Sequence, residues 1–251
     1  NKIYAKYEHL NPGGSIKDRP VLRMLVEAIL SGELTTDKII LDATSGNAGI
    51  AYAMIGAAMG YKVELVMPSN ASEERKKRLR AHGAKIVFTD PLLGYDETLR
   101  EVKRRYELNP DRYFYCDQYS NPNNPQAHHD STAAEVLKQA PNITHLVAGV
   151  GTGGTISGMG KRLKNANSDI KMVLINFDEW PGIEGLKPLG QGHIVPDTFD
   201  QGVVDMEITI DADEGYEMSK LLASYGIFTG QSSGAYLVGA HKLAQETTSS
   251  H

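Results

Sequence analysis

Apolar residues first recur at helical spacing at Val21, Leu22, Met24, Leu25, Ala28 and Ile29, which predicts an amphipathic helix. Pro20 suits its first turn, where no amide donor is needed. From Lys38 the pattern changes to short β-branched runs alternating with helical stretches. Strands are predicted at Lys38 to Ala43, Lys62 to Met67 and Lys85 to Phe88, and helices at Ile50 to Met59, Ser72 to His82 and Tyr95 to Tyr106. This alternation implies a mostly parallel sheet covered by helices. The helix at Ser72 follows Asn70, with Glu73 three positions on in the manner of a capping box, and stops before Gly83. Its many charges read as a solvated face.

Asp117 to Pro125, rich in Asn and Pro, breaks the alternation after a strand near Phe114. A boundary there gives a smaller, mobile N-terminal α/β domain over 11–121 and a larger α/β domain made of 1–10 and 122–251. The larger domain is expected to carry a helix from His128 to Ala140, a strand from Thr144 to Ala148, a glycine-rich loop and a helix to Leu163. Strands at Lys171 to Asn176 and Val203 to Thr209 follow, then a helix around Tyr216 to Tyr225, a short strand at Ile227 to Thr229 and a last helix after Ser233. Thr247 to His251 reads as a solvated tail, and no internal repeat is visible.

Composition narrows the function. The 251 residues are enough for one large α/β domain or two smaller ones. The net charge is −5 and no Lys/Arg block stands apart from acidic neighbours, which argues against nucleic acid or an anionic membrane surface as partner. Small-molecule chemistry is the expectation that remains. The single cysteine, Cys116, fits a reducing cytosol and, in the apolar run Tyr113 to Cys116, reads as core. No apolar stretch approaches the ~20 residues that span a bilayer, and no signal-peptide pattern opens the chain, so a cytoplasmic protein is expected. His128 and His129 are adjacent and point apart on a helix, so no metal pair is expected.

Four segments carry candidate chemistry. In Asn11 to Arg19, NPGGSIKDR, Lys17 lies at the start of the first helix. The partial positive charge there disfavours an ammonium ion, and burial would lower the pKa further, as a nucleophilic or Schiff-base amine requires. A lysine between Asp and Arg is ordinarily a solvated surface residue, so the chemistry needs support from elsewhere. The loop Thr44-Ser45-Gly46-Asn47-Ala48-Gly49 ends a strand and opens a helix, where hydroxyls, an amide and helix-start N–H groups can grip a carboxylate. An ordinary N-cap would need only one of those side chains. Gly149 to Thr155, GVGTGGT, also joins strand to helix and can cradle a phosphate on its bare amides. It satisfies G-x-G-x-x-G, and Asp178 and Glu179 end the next strand, so a dinucleotide enzyme is a rival. No Walker lysine follows it. In Gly230 to Gly234, GQSSG, a hydroxyl can cap the last helix or touch a ligand. Together the four match an amino-acid enzyme using pyridoxal 5'-phosphate (PLP); a dinucleotide enzyme leaves Lys17 and the first loop unexplained.

These segments resemble the fold-type II PLP enzymes, specifically the cysteine synthase (O-acetylserine sulfhydrylase) and cystathionine β-synthase group, over nearly the whole chain. NPGGSIKDR is similar to the PLP-lysine motif, which implies a Schiff base on Lys17. TSGNAG resembles the substrate loop, implying that Thr44, Ser45, Gly46 and Asn47 bind the amino-acid carboxylate, with Asn47 also near the cofactor's phenolic oxygen. Gln118, in DQYSNPNNP, matches a further carboxylate ligand; Gly151, Thr152, Gly153, Gly154 and Thr155 match the phosphate loop. Ser232, in GQSSGA, matches the serine facing the pyridine nitrogen. MPSNASEERKKRLRAHGA resembles a signature of the small mobile domain, and GIEGL at Gly182 to Leu186, with Gly185 as a substrate contact, resembles the segment lining the site entrance.

The implied fold is α/β, two doubly wound domains with mostly parallel sheets, tryptophan synthase β-subunit-like. The implied activity is that of a transferase: β-replacement on O-acetylserine or O-phosphoserine with sulfide to make L-cysteine, through an α-aminoacrylate. No metal is implied, and the partners are small molecules and a second copy in a homodimer. Cystathionine β-synthase-type β-replacement, a dinucleotide-binding oxidoreductase and a catalytically silent binding homologue stand as alternatives. Ala48 departs from the family, which usually has threonine there and so one more hydroxyl in the loop. The chain also lacks the family's opening GNTPL segment and its ILPDxG-like final strand, and resembles a core trimmed at both ends.

Overall fold

The computed structural model describes residues 2–249 except Ser45, Pro181 and Gln191. Two compact units divide them: one is Glu8–Asn124, and the other is made by the chain on either side of it.

In the first unit, α1 (Asp18–Ser31) precedes β1 (Ile39–Ala43), α2 (Asn47–Ala58), β2 (Lys62–Pro68), α3 (Glu73–Ala81), β3 (Lys85–Thr89), α4 (Gly94–Leu108) and β4 (Tyr113–Tyr115). The strands form one parallel sheet in the order β3-β2-β1-β4. Alternation along each strand supplies two faces. Ile40, Val63, Leu65 and Met67 pack with residues of α1 and α2, while Leu41, Ala43 and Val66 pack with Leu99 and Val102 of α4. Because both faces are covered, these strands read in the sequence as nearly unbroken apolar runs. The Thr44–Gly49 loop therefore leaves the carboxyl end of β1, where open α/β sheets gather ligands.

Two expectations for α3 change. Its N-cap is Ser72, whose hydroxyl accepts the Arg75 N–H at 3.4 Å, so Asn70 does not cap it. Its charges are not simply a solvated face either. Lys76 is buried, with Nζ donating to the Ser69 carbonyl and the Glu73 carboxylate, both at 2.7 Å, and lying over the Phe88 ring.

The second unit holds a parallel three-stranded sheet, β5 (His145–Ala148), β6 (Lys171–Phe177) and β7 (Met206–Ile210), in that order. Met172 and Leu174 of β6 pack with Ile156, Met159 and Leu163 of α7 (Gly154–Ala166), while Ile175 packs on the other face with Val238 and Ala235 of the last helix. Helices on both faces make this unit doubly wound too, as the sequence implies.

The helix expected at His128 to Ala140 starts earlier and is interrupted: α5 (Asn123–Ala127) runs into a π-helical turn at His128–Thr132 and then α6 (Ala133–Gln139). This turn and the helix before it lie hard against α7, where a Cβ on Gly158 would collide with the Pro125 carbonyl oxygen of α5 and come 3.1 Å from the His129 nitrogen of the turn. Gly158→Ala should therefore lower unfolding stability by about 1–3 kcal/mol, read as a lower urea midpoint with unchanged slope.

The strand expected at Ile227 to Thr229 is absent, because this segment terminates a helix. After α8 (Ala212–Ser224), Gly226 turns into the left-handed region (φ 81°), and the Ile227 N–H is spent on the Leu222 carbonyl. The last helix, α9, follows directly (Gln231–Ser249). Likewise Gln201–Val203 forms a 3-10 turn, so β7 begins at Met206 and not at Val203.

Candidate active site

Lys17 is the N-cap residue of α1, so its side chain springs from a helix start as the sequence predicts. The loop before it is tied down by the residues that flank the lysine in sequence. Asp18 is buried: Oδ2 accepts the Gly13 N–H at 2.5 Å. A Cβ on Gly13 would collide with that carboxylate, which accounts for the glycine. Arg19 forms a two-pronged pair with Glu8 at 2.7 and 2.8 Å, and Asn11 donates to the same Glu8 and to the Ser15 carbonyl. The local carboxylates thus hold the loop and do not hold Lys17 as an ammonium ion. Among the described residues no ion pair involves the Lys17 amine, and burial lowers its pKa.

At the end of β1 the Thr44 side chain is buried and turned inward, its hydroxyl accepting the N–H groups of Gly46 (3.1 Å) and Gly49 (2.9 Å). A Cβ on Gly49 would meet Thr44 at 2.5 Å, so threonine and glycine are fitted to each other in TSGNAG. Thr44 therefore shapes the loop with the hydroxyl that the sequence offers as a ligand. Gly46 precedes α2, and Asn47, its first residue, is exposed with no side-chain hydrogen bond among the described residues. Ser45 lies outside the described residues. Ala48 is buried in the core, so the hydroxyl that family members usually place here is absent.

The same unit brings Gln118 to this loop: its Nε2 donates to the Ala43 carbonyl at 2.7 Å. Arg75 of α3 also arrives here, its guanidinium carbon 3.3 Å from where a Gly46 Cβ would lie. Sequence reading missed Arg75 because one basic residue in EERKKRLR gives no sign of which way it faces.

In the second unit, Gly151–Thr155 joins β5 to α7. Gly153 has φ 84°, and a Cβ there would lie 2.4 Å from Phe199 Cβ, so only glycine fits. The Thr198 hydroxyl holds the Thr152 carbonyl at 2.6 Å, and the Lys187 N–H holds that of Val150 at 2.8 Å. The first-turn amides of α7, which no carbonyl of the helix can reach, emerge from this braced loop as an anion cradle. Thr155 Oγ1 lies 3.3 Å from Nε2 of the buried His128, which also reaches Thr132. His128 thus links the π-helical turn to the loop, a role its pairing with His129 in sequence did not suggest.

Ser232 stands in the first turn of α9, its hydroxyl without a partner among the described residues. Gly185 (φ 90°) lies beside it: a Cβ there would be 3.5 Å from Ser232 Oγ. Glu179, the candidate ribose ligand of a dinucleotide site, is paired with His193 at 2.9 Å.

Comparison with known proteins identifies the family. A family model described as pyridoxal-phosphate dependent enzyme matches residues 1–250. The chain is 47% identical over 249 residues to a cysteine synthase of Aquifex aeolicus, covering 98% of this chain and 76% of that protein. It is 38% identical to a cystathionine beta-synthase of Apis mellifera, covering 98% of this chain and 51% of the relative. Among solved structures, an O-acetylserine dependent cystathionine beta-synthase from Helicobacter pylori matches with a TM-score of 0.87 at 33% identity, over 97% of this chain and 81% of that one.

Proposed function

The chain belongs to the pyridoxal-phosphate dependent enzyme family, and from that premise we propose that it catalyses β-replacement on an O-activated serine with sulfide, making L-cysteine. The residues present fit the cofactor. A braced loop of small residues at the start of α7 suits its phosphate, an amine without a carboxylate partner suits its aldehyde, and a neutral unpartnered hydroxyl suits its pyridine nitrogen. PLP supplies an electron sink that lets the substrate's Cα–H and Cβ–O bonds break.

Gly151, Thr152, Gly153, Gly154 and Thr155 would hold the phosphate, and Ser232 would serve the ring nitrogen. A neutral hydroxyl there, in place of a carboxylate, would offer that nitrogen no anionic partner. Lys17 would hold the cofactor through its amine and, as a neutral base, would take the proton from the substrate Cα. Ser45, Gly46 and Asn47 grip the α-carboxylate with Gln118, while Thr44 keeps the loop in shape and Gly185 leaves room beside Ser232.

The observation that carries this reading is the Lys17 amine, at a helix start, depressed in pKa by burial and free of any ion pair among the described residues. By likeness to the family we also propose a homodimer, which a monomer mass in sedimentation would refute, and a cytoplasmic location, in keeping with the single reduced thiol of the buried Cys116. No helix among the described residues is long and apolar enough to cross a membrane.

The test is product formation by the PLP-loaded protein. Cysteine should appear from sulfide with O-acetylserine or O-phosphoserine, and comparing the two identifies the leaving group. Cystathionine from serine and homocysteine, without cysteine formation, would transfer the assignment to the activity named in the Apis mellifera relative.

A further inference from the structure

One acid interrupts the apolar run of β1, Ile39-Ile40-Leu41-Asp42-Ala43, and it is 1% exposed. No Lys or Arg pairs with it among the described residues, so three hydrogen bonds alone compensate its charge. Oδ1 accepts the Ala43 N–H at 2.7 Å, and Oδ2 accepts the Tyr52 hydroxyl at 2.5 Å and the Gln118 N–H at 3.2 Å. A buried carboxylate without a cation is costly, and an apolar residue would serve packing better.

The geometry around Gln118 shows what the carboxylate does. Asp117 is the one described non-glycine residue with positive φ (49°), a strained turn that folds the chain back after β4 and aims the Gln118 N–H at Asp42. Asn124 Nδ2 then holds the Gln118 carbonyl at 2.7 Å, and the Gln118 side chain reaches the Ala43 carbonyl. Gln118 is thus clamped at the end of β1, where the Thr44–Gly49 loop begins.

We propose that Asp42 is a positioning residue for substrate: its carboxylate ties the Gln118 main chain to the end of β1 and so sets the Gln118 amide for the amino-acid carboxylate. This rests on the assignment of Gln118 to that carboxylate. Asp42 does not touch substrate; it acts through Gln118.

The tie is sensitive to protonation. Burial pushes the Asp42 carboxyl up to about 7, the nearby Asp117 charge adds to this, and the donors from Tyr52, Ala43 and Gln118 oppose it. The other titratable groups that face it, Tyr115 and Cys116 at the end of β4, Tyr95 of α4 and Tyr119, are all pushed up and stay neutral. A proton on Asp42 removes one acceptor, and the Gln118 bond, the longest of the three, is the first to go. KM for the amino-acid substrate should then rise as pH falls through about 7, with no matching inflection in kcat.

The test compares the PLP-loaded wild type with Tyr52→Phe and Asp42→Asn. Tyr52→Phe removes a donor that keeps Asp42 ionised, so the KM inflection should move up by about one pH unit. Asp42→Asn should raise KM about tenfold above the inflection and flatten its pH dependence, because an amide offers only one accepting oxygen. A readout without turnover is the backbone amide resonance of Gln118, which should titrate near 7 in the wild type and higher in Tyr52→Phe. A Gln118 amide indifferent to pH, or the same KM inflection in wild type and Tyr52→Phe, would overturn the inference. Gln118→Ala with unchanged KM would overturn it through the carboxylate assignment. A titrating Gln118 amide in a protein that makes no cysteine would count against the reaction and leave the tie supported.

Discussion

Lys17→Ala should lower cysteine formation by ~10³-fold or more, because in the proposed mechanism it removes both the cofactor's anchor and the base for the α-proton. Loss of a proton-transfer group alone typically costs 10²–10⁴-fold, so the lower end of that range is a floor. Lys17→Arg should fail as badly, since a guanidinium stays protonated at any working pH. Fold should survive both, because Asp18, Arg19 and Asn11 hold the loop and Lys17 contributes no side-chain hydrogen bond to it among the described residues. Single-turnover assays beside circular dichroism check this: a folded Lys17→Ala protein retaining a tenth of wild-type activity would contradict the role.

Gly153→Ala should cost nearly as much by a different route. The residue would have to hold φ near 84° with a side chain, which costs about 1–2 kcal/mol, and its Cβ would press into Phe199 at 2.4 Å. Overpacking of that kind adds about 1–3 kcal/mol. Phe199 meets the intruding atom through its own Cβ and Cα, so no rotamer change relieves the clash. The loop must shift, and the cradle shifts with it, so affinity for PLP should fall by ~10²-fold or more. Absorbance titration with PLP measures this directly, and a urea melt of the cofactor-free protein separates cradle damage from general instability. Unchanged affinity would mean that Gly151–Thr155 does not hold the phosphate.

Much of this was legible because the physics involved is local or periodic. Two-sided burial writes parallel strands as apolar runs, and chain direction then places the loops after β1 and β5 at ligand-binding ends. Lys17 could be set at a helix start from the spacing of Val21, Met24, Leu25 and Ala28, all of them buried in α1. What stayed hidden depends on long-range contact. Asp42 meets Gln118 across 76 positions, and nothing in LDA or CDQY announces the pairing. The inward turn of Thr44 reflects its fit to Gly49, which composition alone cannot separate from ligand binding. Ile227 to Thr229 has the residue types of a strand, but the turn at Gly226 takes its first amide for the end of α8. Asp18 and Arg19 look like solvated neighbours of Lys17 until Gly13 and Glu8 are brought beside them.

Whether Lys17 carries the cofactor is decided by borohydride reduction of the PLP-loaded protein followed by peptide mass analysis. The expected result is a pyridoxyl phosphate adduct confined to the peptide containing Lys17, absent from Lys17→Ala. An adduct on another lysine, or none in a protein that has taken up PLP, would rule out Lys17 as the cofactor's anchor.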